Sequence, residues 1–304
     1  MNKKKIAVVG IGVGVSHLEA LEKLKTEFPI EISGVGRATH GELSPRAKKA
    51  IGNAPIYVGN KMYDLLDTSD ILLIATPDKD HYDPAFLSID WALHTLIEKP
   101  AFIERQQGLD LIRLAEENGV LLDSATQMRM HSQGLANLIN QYKPESISLT
   151  YLLPKTKLNM PDVLPNILPH ILSLIPDLNG VEVRDIYQDK DQVNLQLLKK
   201  GLCIFAKLGY VPEQMKPERS VTLHTNTGTL ERVFSQGSLG GQYQENWFSV
   251  EPVINPREAL WRNWLQNIFS EDFPELRQEC LKYREQRRER IMQEHLLLMQ
   301  AMGK

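Results

Sequence analysis

The sequence predicts an α/β protein with two domains. The first is an N-terminal Rossmann domain with a doubly wound parallel sheet, and the second is a C-terminal α+β domain with a mostly antiparallel sheet. Short apolar segments alternate with helical patterns through roughly the first 120 residues, which is typical of a parallel sheet covered by helices. A glycine-rich turn, Gly10 to Gly14, separates the first apolar segment from the first helical pattern. Beyond about residue 125 successive strand-like segments follow, so we divide the chain into residues 1–124 and 125–304.

The first domain shows the alternation of strands and helices in detail. The near-continuous apolar run Ile71–Ala75 has the composition of a strand that is covered on both faces. The helical pattern that ends at Asn118 is followed by Gly119, a favoured residue after a helix. Strands are predicted at Ile6–Val9, Ile30–Val35, Ile56–Val58, Ile71–Ala75, Thr95–Ile97 and Val120–Asp123. Helices are predicted at Ser16–Phe28, Lys61–Leu66, Tyr82–Leu93 and Arg105–Asn118.

The second domain is predicted to combine antiparallel strands with helices. Thr227-Gly228 favours a hairpin between the last two strands. Helices are predicted at Pro161–Leu178 and Pro256–Phe269. Glu275–Met302 is predicted to be one long charged helix or a pair of helices with a solvated charged face. The strands are predicted at Ser146–Leu153, Val181–Gln188, Val193–Leu198, Gly201–Leu208, Ser220–Thr225 and Thr229–Ser235. A core or dimer interface is favoured over a substrate platform for the aromatic residues Trp247, Phe248, Trp261 and Trp264.

Composition excludes several classes of function. The chain has 304 residues, of which 42% are hydrophobic and 24% charged, as in globular proteins with a sizeable core. A net charge of -3 and a pI of about 6.3 give no electrostatic basis for binding nucleic acid or an anionic membrane. No segment approaches the ~20 apolar residues that span a bilayer, and the basic N-terminus lacks a signal-peptide core, so we expect a cytoplasmic protein. Cys203 and Cys280 fit no metal or redox spacing, and no metal site is expected.

The turn Gly10-Ile-Gly12-Val-Gly14 follows a predicted strand and precedes a predicted helix. In dinucleotide sites, glycines permit a tight turn and a close approach of the backbone to a pyrophosphate at the helix N-terminus. The spacing G-x-G-x-G is one residue shorter than the usual G-x-G-x-x-G. Two interpretations are therefore open: a nicotinamide dinucleotide site, which the flanking elements favour, and a tight turn that binds no ligand.

The end of the second strand predicts the choice of cofactor. NAD-binding proteins usually have Asp or Glu there, about 20 residues after the glycines, to bind the ribose 2′-hydroxyl. This chain has Arg37 and Thr39 instead. An arginine is suited to bidentate contact with a 2′-phosphate, so the sequence favours NADP over NAD. The alternative is that Arg37 is an ordinary surface arginine in a turn.

Glu98-Lys99-Pro100 directly follows the predicted strand Thr95–Ile97. Ligands of open α/β sheets bind outside the carboxyl ends of the strands. A lysine at this edge is therefore placed to exchange a proton with a substrate, which points to a nicotinamide-dependent oxidoreductase. A purely structural lysine at the strand end is the alternative.

Together these residues resemble the Gfo/Idh/MocA oxidoreductases, named after glucose–fructose oxidoreductase, inositol dehydrogenase and a rhizopine-catabolism protein. The resemblance covers residues 5 to about 131, in the order and nearly the spacing of the family, whereas the second half matches only loosely. The matching segments are the glycine turn with His17-Leu-Glu-Ala-Leu21, Ala75-Thr-Pro77 with His81, Glu98-Lys99-Pro100, Leu114–Val120 and Gln127-Met-Arg129.

The resemblance implies a Rossmann domain followed by an α+β domain whose open sheet often mediates dimers, so a homodimer or homotetramer is expected. It implies that Lys99 is a catalytic or substrate-orienting residue. It also implies that the nicotinamide cofactor binds at Gly10, Gly12, Gly14, Thr76, Pro77, His81 and Glu98, in addition to Arg37 and Thr39.

The family commonly has an aspartate in the second domain and a histidine four residues later, and the counterparts here are Asn166 and His170. Residues i and i+4 share one face of a helix, although Pro169 disturbs the helix at this point. Asn166 carries no titrating proton and is expected to bind substrate, while His170, with an ordinary pKa of about 6.5, suits acid–base catalysis. An ordinary half-buried histidine is the alternative for His170. Arg129 either binds substrate or pairs with a carboxylate.

The predicted function is hydride transfer between NADP or NAD and a small polar molecule such as a sugar, a cyclitol or a related carbonyl or alcohol. Lys99 and His170 are the predicted proton carriers. Two other functions are open. One is reduction of a conjugated or imine substrate, as in biliverdin-reductase-like relatives. The other is a catalytically inactive NAD(P)-binding sensor or partner protein. The short glycine turn and Asn166 motivate this alternative, whereas the intact Glu98-Lys99-Pro100 argues against it.

Overall fold

Two compact units make up the chain. The computed structural model describes residues 3–126, 128–129, 132–155, 163–189, 191–215, 217–233, 255–271 and 273–303. The first unit comprises Met1–Ala125 and Arg257–Met292, and the second comprises Thr126–Pro256 and Gln293–Lys304. The sequence-based division placed all residues after 124 in one domain, whereas residues 257–292 make their contacts with the first unit.

A parallel sheet forms the centre of the first unit, as the fold class predicts. Its strands are β1 (Lys4–Val9), β2 (Ile30–Arg37), β3 (Ile56–Val58), β4 (Ile71–Ile74), β5 (His94–Ile97) and β6 (Leu122–Ser124). Their spatial order is β3-β2-β1-β4-β5-β6, and every pairing is parallel. All four residues of β4 are buried, as its apolar run predicts. The chain order reverses between β1 and β4, and ligands of such sheets bind beyond the carboxyl ends at that reversal.

The helices are α1 (Gly14–Leu24), α2 (Pro45–Ile51), α3 (Tyr82–Asp90), α4 (Arg105–Glu117), α5 (Ser132–Tyr142), α6 (Val163–Leu174), α7 (Pro256–Ser270) and α8 (Arg277–Ala301). The predicted helix Lys61–Leu66 lies within a 3-10 helix, Gly59–Thr68. Helices α2 and α5 were missed. The start of α2 carries a recognisable signal, because the Ser44 hydroxyl accepts a hydrogen bond from the Ala47 N–H at 3.1 Å and Pro45 follows it. None of the helices in the described ranges is long and apolar enough to cross a membrane.

Helix α7 completes the hydrophobic core on one side of the parallel sheet. Trp261, Trp264 and Ile268 are fully buried in the same cluster as Val8 and Leu73. These two tryptophans are therefore core residues of the first unit. The other aromatic residues considered above, Trp247 and Phe248, lie outside the described residues.

A second sheet forms the centre of the second unit. Its strands are β7 (Ser146–Pro154), β8 (Val181–Gln188), β9 (Gln192–Lys199), β10 (Leu202–Val211), β11 (Glu218–Thr225) and β12 (Gly228–Val233), in the order β12-β11-β7-β10-β9-β8. The sheet is mostly antiparallel and contains the predicted hairpin between β11 and β12. Within this mostly antiparallel sheet, β7 and β10 pair with each other in parallel. The reason is that α6 and the β8–β9 hairpin intervene and return the chain in the same direction.

One face of the second sheet packs against α6. Alternate residues such as Leu149 on β7, Ala206 on β10 and Val221 on β11 are buried together with Ile167 and Ile171 of α6. Register places Leu149 opposite both Ala206 and Val221, so these strands present one shared apolar face. Side chains further along this face towards Pro154 belong to the candidate site described below.

His94, the first residue of β5, makes the stability of the first unit sensitive to acid. Its Nδ1 accepts a hydrogen bond from the Leu121 N–H at 3.1 Å, so that nitrogen carries no proton. Burial, helped by the positive charges of Arg284 and Lys4, lowers the pKa of His94 to about 3. Because the ordinary pKa is about 6.5, the stability gained from a neutral His94 is complete above about pH 6.5 and is lost as the pH falls towards 3.

We expect His94→Asn to flatten the acid side of the stability curve. The Asn Oδ1 can still accept the Leu121 N–H but takes up no proton. Wild-type protein should lose up to ~1.4 kcal/mol of unfolding free energy per pH unit from this group below pH 6.5. Urea unfolding between pH 4.5 and 7 measures the effect, and the wild-type advantage over the variant should narrow as the pH falls. A constant difference across this range would contradict the assignment.

Candidate functional site

The carboxyl edge of the parallel sheet gathers the segments predicted to bind the cofactor. The Val9 carbonyl accepts a hydrogen bond from the Ala75 N–H at 2.7 Å, and the Ile74 carbonyl accepts one from the Glu98 N–H at 2.8 Å. The glycine turn after β1, the loop after β4 and the Glu98-Lys99-Pro100 segment after β5 therefore follow one another across adjacent strands. They meet at the reversal between β1 and β4, where the fold predicts a ligand.

The three glycines of the turn have different roles. Gly10 has a φ of +96°, and a Cβ there would lie 2.3 Å from the Ala75 carbonyl oxygen, so no other residue fits. A Cβ at Gly14 would lie 3.0 Å from Cγ1 of Val8, because α1 packs closely on the sheet. A Cβ at Gly12 would meet no atom within 4 Å among the described residues, which leaves open space at the start of α1.

These roles fit a dinucleotide pyrophosphate. In such sites the first glycine permits the turn, the second lets the backbone approach the phosphates, and the third permits close packing of helix and strand. Helix α1 has neither a side-chain cap nor an acidic residue in its first turn, so the positive end of its dipole favours an anion. Despite its short spacing, the turn matches the cofactor in geometry and charge.

Arg37 lies at the carboxyl end of β2, the neighbour of β1. Its Nη1 donates a hydrogen bond to the Gly41 carbonyl at 3.0 Å, which orders the loop after the strand. Thr39 is exposed in the same loop. Residues 36–41 carry no carboxylate, so the end of β2 lacks the usual acceptor for a ribose 2′-hydroxyl.

A buried hydrogen-bond network holds the side chain of Glu98. The Trp261 indole N–H donates to Nδ1 of His17 at 2.9 Å, and Nε2 of His17 lies 2.7 Å from Oε1 of Glu98. An indole N–H can only donate, so Nδ1 must accept and the ring proton lies on Nε2. His17 therefore donates to the Glu98 carboxylate, and its tautomer is fixed by a residue on α7.

The charges of this network follow from burial and hydrogen bonding. Burial lowers the pKa of His17 and outweighs the opposing effect of Glu98, so His17 is neutral. Burial alone would raise the pKa of Glu98, but the hydrogen bond from His17 and nearby positive charges bring it below its ordinary value. Glu98 is thus a buried carboxylate, and its Oε2 also accepts the Lys99 backbone N–H at 3.2 Å.

Lys99 is half-buried next to this carboxylate. Burial lowers the pKa of Lys99, and the negative charges of Glu98 and Asp78 only partly oppose the effect. The ammonium group is therefore a better proton donor than an ordinary exposed lysine.

His81 links the loops that follow β4 and β5. Its Nδ1 lies 2.9 Å from the Pro100 carbonyl oxygen, and its Nε2 lies 2.8 Å from the Thr76 carbonyl oxygen. The Thr76 hydroxyl donates to the Asp80 carbonyl at 3.0 Å, while Pro77 is exposed. Because both ring nitrogens of His81 face backbone carbonyls, this buried histidine ties the two loops together.

The second unit contains a polar cluster at one end of its otherwise apolar helix-facing sheet surface. The Asn166 amide donates to the Tyr210 hydroxyl at 2.7 Å, and the His170 ring stacks on the Tyr151 ring with centroids 5.2 Å apart. The Arg219 guanidinium lies 4.4 Å from the same ring centroid. We call this group, Tyr151, Asn166, His170, Tyr210 and Arg219, the Arg219 cluster. Helix α6 continues through Pro169, so Asn166 and His170 lie about one helical turn apart.

Arg129 also belongs to the second unit but pairs elsewhere. Its Nη2 lies 3.4 Å from Oε1 of Glu294, and both side chains are almost completely buried. This contact corresponds to the second interpretation of Arg129, an ion pair with a carboxylate. Gln127, its neighbour in the family-like segment, lies outside the described residues.

Comparison with known proteins agrees with this geometry. Residues 4–126 match the model of an oxidoreductase family with an NAD-binding Rossmann fold, Gfo/Idh/MocA. The N-terminal region therefore matches the NAD-binding domain of this family. The enzymes with which the chain compares are NAD(P)-dependent oxidoreductases. None of the curated proteins matches the chain in sequence.

Solved structures share the complete fold. A 3-ketoreductase from Actinomadura kijaniata, KijD10, in complex with NADP is 18% identical, with a TM-score of 0.77 over 99% of this chain and 97% of that one. A UDP-N-acetylglucosamine 3-dehydrogenase from Acidithiobacillus ferrooxidans is 18% identical, with a TM-score of 0.66 over 98% of this chain and 100% of that one. A probable dehydrogenase from Thermotoga maritima is 14% identical, with a TM-score of 0.71 over 98% and 96%. At these identities the likeness concerns the fold alone.

Sequence reasoning missed several members of these clusters. No motif distinguishes Trp261, Tyr151 or Tyr210 from ordinary core residues, because each occupies an apolar position in its helix or strand pattern. Arg219 could have been recognised from the sequence. In Arg219-Ser-Val221-Thr-Leu223 alternate residues share one face of the strand, so the charged Arg219 lies on the same face as the apolar Val221 and Leu223.

We expect Gly10→Ala and Gly12→Ala to separate fold from cofactor binding. Gly10→Ala forces a Cβ against a carbonyl at positive φ and should destabilise the protein by at least ~2 kcal/mol. Gly12→Ala places its Cβ in open space, so thermal unfolding should change by less than ~0.5 kcal/mol. Calorimetry should nevertheless show NADPH bound at least tenfold more weakly by Gly12→Ala, because the methyl group occupies the approach of the pyrophosphate. Unimpaired NADPH binding by Gly12→Ala would refute the assigned role of this glycine.

Proposed function

We propose that this protein is an NADP-preferring oxidoreductase that transfers hydride between nicotinamide and a sugar or a similar small polar carbonyl or alcohol. The observation that carries the proposal is the half-buried Lys99, held beside a fixed carboxylate at the same sheet edge as the Gly12 opening. A proton-exchanging group at the cofactor edge is what carbonyl reduction or alcohol oxidation requires.

The cofactor and the protein would divide the chemistry. A bound nicotinamide supplies or accepts the hydride. Gly10, Gly12, Gly14 and the start of α1 would hold its pyrophosphate, with Thr76 and Pro77 in the adjoining loop. Lys99 would hold the substrate oxygen and give it a proton in reduction, or take one in oxidation. The lowered pKa of Lys99 supports this role because it brings the ammonium group closer to working pH.

His170 is proposed as the second proton carrier, and Asn166 as a hydrogen-bonding group for substrate. Their shared helix face supports this assignment, and so does the amide of Asn166, which already orients the Tyr210 hydroxyl. A sugar-like substrate is supported by the named activities of two structural neighbours, a 3-ketoreductase crystallised with TDP-benzene and NADP and a UDP-N-acetylglucosamine 3-dehydrogenase. A cytoplasmic homodimer or homotetramer stays a prediction.

We predict that Lys99→Ala loses turnover but keeps the cofactor. Removing the proton-exchanging group should lower kcat at least 100-fold, while the Kd for NADPH changes less than threefold. The measurement is NADPH oxidation with a panel of keto sugars, together with NADP reduction by sugars and cyclitols. Lys49→Ala, an exposed lysine on α2, is the matched control and should behave as wild type. Equal turnover in wild type and Lys99→Ala would remove Lys99 from the mechanism.

For Arg37→Asp we predict a change of cofactor preference. The carboxylate repels a 2′-phosphate and can accept a ribose 2′-hydroxyl, so the ratio of NADPH to NADH affinity should fall at least tenfold. Arg37→Ala should give an intermediate ratio, since it removes the attraction without adding repulsion. Competitive calorimetric titration measures both affinities. An unchanged ratio in both variants would show that the 2′-position is recognised elsewhere.

A further inference from the structure

Arg219 is a buried cation in the second unit. It is 7% exposed on β11 and faces α6 with Val221 and Leu223. Register places it directly opposite Tyr151 of β7, whose ring it covers. The guanidinium group of an arginine is a planar cation with five N–H donors and no acceptor.

The guanidinium of Arg219 lacks an anionic partner within the parts of the chain that the structure describes. No carboxylate there forms an ion pair with it, and its buried Nε has no hydrogen-bond partner. The contact with the Tyr151 ring supplies cation–π attraction, but this compensates only part of the cost of removing a charge from water.

Arg129 provides a comparison within the same unit. It is 8% exposed, about as deeply buried as Arg219, and a buried carboxylate, Glu294, lies 3.4 Å from it. A buried structural arginine in this protein thus has its counter-ion in the fold. Arg219 is buried to the same extent, but among the described residues it contacts an aromatic ring instead of a carboxylate. Its guanidinium is therefore available to bind an anionic ligand.

We propose that Arg219 binds an anionic group, a phosphate or a carboxylate, carried by the substrate. The inference rests on the proposed function, because it specifies which sugar-like molecules the enzyme accepts. His170 contacts the same Tyr151 ring, so the anion would lie one side chain away from a proposed proton carrier. The substrate class is therefore a sugar acid or a phosphorylated sugar, including nucleotide sugars, rather than a neutral sugar or cyclitol.

The rest of the Arg219 cluster suits such a ligand. Asn166 and His170 are partly exposed, whereas Tyr151 and Tyr210 are buried beneath them. The amide of Asn166 and the hydroxyl of Tyr210 offer donors and acceptors for sugar hydroxyl groups. A guanidinium on an aromatic platform beside neutral hydrogen-bonding groups favours a polyhydroxylated anion.

Anion binding by the full-length protein tests the proposal without any turnover. The probes are sodium pyrophosphate for the phosphorylated class and sodium glucuronate for the sugar acids, with glucose as the neutral match, all at constant ionic strength. Calorimetry should show saturable binding of at least one anion and none of glucose. Pyrophosphate can also bind at the glycine turn. The quantity to compare is therefore the anion binding that wild type shows and Arg219→Met lacks.

Arg219→Met should weaken binding of that anion at least tenfold. Arg184→Met, which removes an exposed arginine of β8, should leave it unchanged. If Arg219→Met weakens binding of glucuronate, the substrate is a sugar acid; if it weakens binding of pyrophosphate, the substrate is a phosphorylated sugar. No Arg219-dependent binding of either anion would overturn the proposal.

Thermal unfolding provides a second readout that a structural role would not produce. Arg219→Met should unfold at the same temperature as wild type or higher, because it removes a buried charge that has no counter-ion among the described residues. Arg129→Met should unfold at a lower temperature, since it leaves Glu294 buried and unpaired. A fall for Arg219→Met as large as that for Arg129→Met would overturn the proposal. Failure of the enzyme to bind NADPH would instead refute the proposed function and leave these two readouts intact.

Discussion

The hydrogen bond between His17 and Glu98 is the interaction on which the proposed active centre depends. It makes a carboxylate tolerable in the interior of the first unit, and that carboxylate lies next to Lys99 in sequence. His17 can donate to Glu98 only because Trp261 donates to its other nitrogen. Side chains from α1, from the segment after β5 and from α7 thereby determine the charge beside Lys99. Replacing His17 or Trp261 would alter the environment of the lysine through Glu98.

Two opposing effects determine the pKa of Lys99, the proposed proton carrier. Burial favours the neutral amine, while Glu98 and Asp78 favour the ammonium, and burial is the larger effect. The result is a cation that releases its proton more readily than a surface lysine. In the second unit, Asn166 cannot carry a proton, so the proposed mechanism assigns proton transfer to Lys99 and His170.

Local signals explain what the sequence could predict. The strands of the first unit could be predicted from short-range hydrophobic periodicity, and the glycine turn from the conformation that only glycine adopts at position 10. The candidate cofactor-binding residues could be predicted because they directly follow the ends of predicted strands. The partner of His17 could not be predicted in this way, because Trp261 lies 244 residues further along the chain. Nor could the parallel pairing of β7 with β10, which depends on the path through α6. Arg219 could have been singled out from the sequence, since a charged residue is unusual on the buried face of a strand.

The central claim, that the first unit binds a nicotinamide dinucleotide beside Lys99, is most directly tested by nicotinamide fluorescence. Wild-type protein is titrated separately with NADPH and NADH while the emission of the reduced nicotinamide is recorded. We predict a saturable change with one nucleotide per chain and a lower Kd for NADPH than for NADH. Absence of saturable binding for both nucleotides would contradict the account, whatever the substrate of the enzyme.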